Sequence, residues 1–62
     1  MDPTENLREQ LQLAHDIIEG RVGIMGAEKG ERLAELVLAL DGWLAGGGFL
    51  PAQWRFLKGA AQ

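Results

Sequence analysis

The fold class this sequence predicts is all-α: a helical hairpin followed by a short third helix, in a domain expected to associate with copies of itself. Three observations predict it. Apolar residues recur at helical spacing in two long segments, glycine clusters separate the segments, and Asp-Pro and Pro signals of the kind that open helices precede the first and third elements. The chain has 62 residues, so it is read as one domain over residues 1–62. Hydrophobic residues make up 47% and charged residues 24%, which places it among globular rather than disordered chains.

The first helix is predicted from Pro3 to about Glu19. Asp2 can accept backbone N–H bonds as the N-cap, Pro3 suits the first helical position, and Glu5 stands where a capping box has its acid. Leu7, Leu11, Ala14 and Ile18 form one stripe, widened by Leu13 and Ile17, with Arg8, Glu9, Gln12, Asp16 and Glu19 opposite. Gly20 ends it, because glycine accepts the positive φ that helix C-termini often need.

Residues 20–30 hold four glycines and are expected to form a connector, with Val22, Ile24 and Met25 dipping into the core or, if exposed, marking a binding loop. The glycine spacing superficially suggests a phosphate loop, but Lys29-Gly30-Glu31 has the wrong order and no hydroxyl. The second helix is predicted to begin at Ala27 or Glu31, taken as residues 31–45. Its inner stripe is Leu33, Leu36, Val37, Leu40, Trp43 and Leu44. Glu28 and Arg32 are spaced to attract, Glu31 and Glu35 to repel. Leu38 falls off the stripe beside Ala34, so a hairpin alone would leave it in water, and the third helix or another subunit is expected to cover it. Gly42 suggests either a close backbone approach or fraying.

Gly46, Gly47 and Gly48 begin a corner over residues 46–50, and Pro51 opens a third helix reaching about residue 59. Both tryptophans and Phe49 flank this corner. Trp54 and Leu57 are expected to pack inward with Phe49 or Leu50, while Arg55 and Lys58 share a cationic face. Trp, Phe and Arg are enriched at interfaces, so Leu38, Trp54, Arg55, Phe56 and Lys58 form the candidate interaction surface.

Composition argues against most chemistry. With no Cys, Ser or Tyr, and Thr4 in the cap region, a hydroxyl or thiol nucleophile is wanting, and no enzyme is expected. His15 is the single imidazole; Glu19 stands four residues on and can pair with it, but neither a zinc site nor a catalytic dyad follows. No cofactor and no metal are expected. Net charge is −3, so phosphate contacts would work against repulsion. A nucleic-acid-associated regulator using Arg55 and Lys58 is the alternative reading, nucleic acid being the disfavoured partner. The acidic face of the first helix also allows mimicry of nucleic acid, without specifying it.

A chain this short buries only about 60% of its unfolded surface, and one small core rarely supplies more than about 3–5 kcal/mol. With disulfides and thiolate metal sites excluded, self-association is the stabiliser left, so a homo-oligomer is expected, with a protein partner possible. Residues 1–20 lack a basic segment followed by an apolar run, and no long apolar stretch exists, so no secretory signal and no membrane association are predicted; a cytoplasmic location is expected.

The stretch Glu31-Arg32-Leu33-Ala34-Glu35-Leu36-Val37, followed by Leu40-Asp41-Gly42-Trp43-Leu44 and Gly47-Gly48-Phe49-Leu50-Pro51, resembles small helical open reading frames of bacteriophage genomes and environmental sequence. The resemblance covers residues 31–54. It implies a small accessory protein acting as a non-enzymatic interaction module, and it carries no active-site residues.

Overall fold

A computed structural model describes residues 1–21 and 23–55. Within them the chain forms α1 (Pro3–Ile18), a single 3₁₀ turn (Gly23–Met25), α2 (Gly26–Ala45) and α3 (Ala52–Arg55). The Asp2 side chain accepts from the backbone N–H of Thr4 at 3.0 Å and of Glu5 at 3.3 Å, so the cap forms as expected. Glu5 does not reach back to close a capping box; its carboxylate pairs with Arg8 at 2.7 Å.

Both long helices end alike. At the end of α1, Gly20 takes a φ of +75°, its N–H bonds the Ile17 carbonyl, and the Arg21 N–H bonds the Asp16 carbonyl. At the end of α2, Gly47 takes a φ of +90°, with Gly47 N–H on Leu44 and Gly48 N–H on Trp43. Each is a Schellman closure, in which two otherwise unpaired carbonyls are satisfied by the departing chain.

The connector is shorter than its glycines suggest. α2 begins at Gly26, near the earlier of the two expected starts and well before residue 31. Gly30, inside the helix, lowers helix propensity by about 1 kcal/mol relative to Ala, but the turn it occupies is anchored to α1. Lys29 Nζ bonds Asp16 at 3.1 Å, and Arg32 reaches Glu9 through Nε at 2.8 Å and a terminal nitrogen at 3.1 Å. Tertiary contacts override local preference here. Arg32 thus turns to Glu9 instead of Glu28.

The cross-links Asn6 to Leu36, Glu9 to Arg32 and Asp16 to Lys29 run in opposite directions along the two helices, so the hairpin is antiparallel. Its core is small: Leu7, Leu36 and Leu40 are the buried apolar side chains among the described residues, beside fully buried Pro3 and Pro51. The expected stripe of α1 is corrected in its outer half. Leu11, Ile17 and Ile18 are exposed, Ile18 at 83%. The packing line instead follows Pro3, Asn6, Leu7 and Gln10. Asn6 is buried and donates to the Leu36 carbonyl at 3.0 Å, while its own oxygen accepts from Gln10.

The principal extents are 42 × 21 × 15 Å, and the radius of gyration, 13.2 Å, exceeds the roughly 11 Å usual for this length. A helix with side chains is about 10–12 Å across. The molecule is therefore a slab one helix layer thick, with two broad faces and two long edges.

Candidate interaction surface

Three glycines, two aromatic rings and one guanidinium build the corner. The Trp43 indole donates to the Phe49 carbonyl at 2.9 Å and meets the Phe49 ring edge-on, centroids 5.3 Å apart and planes at 90°. The Arg55 guanidinium lies over the same ring, 5.3 Å from its centroid, and its Nε donates to the Leu50 carbonyl at 3.1 Å. Gly48 makes this possible, since a Cβ there would overlap the indole. Of the two alternatives, Phe49 does not pack inward; it is an exposed ring contacted by Trp43 and Arg55, while Leu50 is half-buried.

The first turn of α3 is fastened to the first turn of α1. The Ala52 N–H donates to the Thr4 hydroxyl at 2.9 Å, and Gln53 donates its amide to the Thr4 carbonyl at 3.1 Å. This sets half-buried Trp54 beside a cleft of about 210 Å³ lined by Gln10, Val37, Leu40, Asp41, Leu44 and Trp54.

The two broad faces differ in chemistry. One is crossed by the Glu9–Arg32 and Asp16–Lys29 ion pairs. Asp16 also accepts from Gln12 and from Arg21, whose other nitrogen pairs with Glu19. The hydrogen bond from Arg32 holds the Glu9 carboxyl below the usual carboxylate range, and bonds from Lys29, then Gln12 and Arg21, do the same for Asp16. Arg32 is raised in turn by Glu9.

The other face is apolar. At about 100° per residue, Leu11 and Ile18 stand roughly 160° around α1 from Glu9 and Asp16, and Val37 stands about 140° around α2 from Arg32. In an antiparallel pair these directions converge on one side. Leu11, Ile18 and Val37 are exposed there, and the cleft with Trp54 occupies its end nearest the corner.

Of the expected interaction residues, Trp54 lines the apolar face, Arg55 is turned onto Phe49, and Leu38 is 72% exposed on the outer edge of α2. Leu38 and Trp54 are not brought together, and the described part of α3 does not cover Leu38. Phe56 and Lys58, with Leu57, lie outside the described residues, as does Val22. Ile24 is fully exposed, and the side chain of Met25, the third residue of the binding-loop expectation, lies outside what is described.

Sequence reasoning missed the buried Asn6 and the ionic face. The opposed spacing of Glu9 and Asp16 against Lys29 and Arg32 was the available signal for the face. His15 lies 3.9 Å from Glu19, both in solvent. No three His, Asp or Glu side chains converge as metal ligands among the described residues, and no described helix is long and apolar enough to cross a membrane. The fold is thus an all-α, three-helix domain with exposed apolar side chains of the kind that line interaction interfaces. Comparison with known proteins finds no family model, no curated relative and no solved structure that matches this chain.

Proposed function

We propose that this chain is a small, non-enzymatic accessory module of the cytoplasm that self-associates through its apolar helix faces, in keeping with the phage and environmental proteins it resembles. One observation carries the reading: a one-layer slab whose buried core among the described residues is three leucines and two prolines leaves Leu11, Ile18 and Val37 in water on one face. Burying each large aliphatic side chain is worth about 1.5–3 kcal/mol, a large gain for a core this small. A second copy laid on that face would supply the missing layer and cover the cleft beside Trp54. The nucleic-acid alternative gains nothing from Arg55, whose guanidinium is already placed on Phe49 and the Leu50 carbonyl.

Sedimentation equilibrium over about a hundredfold concentration range tests the reading, with mass action expected to raise the average mass. The mass should rise in the parent protein and stay monomeric in Val37→Glu and Leu11→Glu. A monomer throughout for the parent removes self-association. A mass that collapses only in Leu38→Glu would move the interface to the outer edge of α2.

A further inference from the structure

The apolar face is not level. α3 is fastened to the hydroxyl and carbonyl of Thr4, which helical spacing places about 20° from Leu11 around α1. The turn Ala52–Arg55 therefore stands on this face as a step at the corner end, with Trp54 at the edge of the cleft. At the connector end Ile18 projects, 83% exposed. A Cβ at Gly30, about 20° around α2 from Val37, would meet nothing within 4 Å, so the face beyond the cleft is open. Step and projection are evenly placed. Thr4 and Ile18 lie on either side of Leu11 at equal spacing along α1, about 10 Å each way.

We infer that two copies stack apolar face to apolar face with their helices antiparallel, Leu11 meeting its own equivalent on the twofold axis and Ile18 of each copy filling the cleft of the other. The inference rests on the self-association proposed above and adds its register. The hydrogen bond from Asn6 to the Leu36 carbonyl sets the two helices against each other, so Val37 in the cleft wall lies level with about Glu5. Turning a second copy end for end about Leu11 brings its Ile18 to the level of Thr4 and Val37. Ile18 is rotated about 20° from Leu11 toward the side of Leu7 and Gln10, over the groove that holds the cleft. There Val37, Leu40, Leu44 and Trp54 offer it apolar walls. The other orientation fails on shape and charge. With helices parallel, α3 would meet α3, and Asp41 and Arg55 would each crowd their equivalents at one end. The antiparallel stack puts the steps at opposite ends and separates both pairs of like charges, so the face is self-complementary, as a twofold interface requires. A face of 42 by 21 Å is roughly 900 Å² in outline, against about 800 Å² per partner in a standard stable interface.

The chain has no cysteine, so an introduced thiol reports on one position alone. In a glutathione redox buffer, Leu11→Cys should close a disulfide with its own equivalent. Ile18→Cys and Val37→Cys, each alone, should stay reduced, because their equivalents lie roughly 20 Å apart, far beyond disulfide reach. Mixed together, these two variants should form the mixed covalent dimer, identified by its mass. In sedimentation equilibrium, Ile18→Ser should weaken the dimer by about tenfold or more, since twofold symmetry removes the contact twice. Leu38→Ser, equally apolar but off this face, should leave it unchanged. These positions are exposed, and circular dichroism verifies that each variant keeps its helices. If the parent dimerises, three results each overturn the register and leave self-association standing: Ile18→Cys coupling to itself, a dimeric Leu11→Cys that stays reduced, or Ile18→Ser dimerising like the parent. A parent that stays monomeric removes both.

Discussion

Gly42 and Gly48 stand six residues apart and answer substitution in opposite directions. Gly42 is inside α2 with open space where a Cβ would go, so Gly42→Ala removes backbone entropy from the unfolded chain without meeting an obstacle. It should stabilise the protein by about 0.5–1 kcal/mol. Gly48→Ala drives a methyl into the Trp43 indole and should cost roughly 1–3 kcal/mol. Urea unfolding followed by tryptophan fluorescence checks both, and the Gly48 variant should also show altered native emission as the indole loses the Phe49 carbonyl. Composition alone could not separate these glycines, because both read as helix weakeners. What separates them is the position of a ring five residues before one of them. Asn6 was hidden for a related reason: a polar side chain reads as surface until its backbone partner, the Leu36 carbonyl thirty residues away, is known.

The pairing of α1 with α2 is where titration enters. Glu9 and Asp16 are both held below the usual carboxylate range, chiefly by Arg32 and Lys29 across the hairpin, with Gln12 and Arg21 adding to Lys29 at Asp16. Their contribution is therefore complete above that range and is lost as the pH falls through it to the lower folded-state values. Thermal melts at decreasing pH should show a falling midpoint in the parent. A Glu9→Gln, Asp16→Asn variant should start lower at neutral pH and lose less on acidification; an acid limb as steep as the parent's would contradict the assignment. The ends of these helices were legible in Asp2-Pro3, Gly20 and Gly46 to Gly48, since caps depend on local chemistry. The start of α2 was not, because Gly26 and Gly30 argue against helix, and the partners that tie this turn down, Asp16 and Glu9, lie on the other arm. Leu11 and Ile18 show the same limit, since periodicity defines a stripe but the partner helix decides which side of it is covered.

At the scale of the whole molecule, thinness governs. A slab 15 Å deep cannot bury two faces of each helix, and the chain resolves this by making one face ionic and leaving the other apolar. If copies meet through the apolar face, unfolding is linked to dissociation, and the melting midpoint should rise with protein concentration. A midpoint constant over about a hundredfold range would contradict self-association without the need for any variant. The expectation of a partner for so small a core followed from length and composition. That Leu11, Ile18 and Val37 would stand exposed together did not, because a helical wheel does not say which side of a stripe the other helix covers.

Thr4 is held at its hydroxyl and its carbonyl by Ala52 and Gln53, 48 and 49 positions further on, whereas the links within the hairpin span 13 to 30. Closing the shorter spans first reduces the entropy still to be lost when the longest one closes. Synthesis, however, delivers Thr4 well before Ala52, 48 positions on. The opening turn of α1 thus waits, in time, for the whole hairpin and the corner after it: of these three helices, the earliest made is the last to be finished.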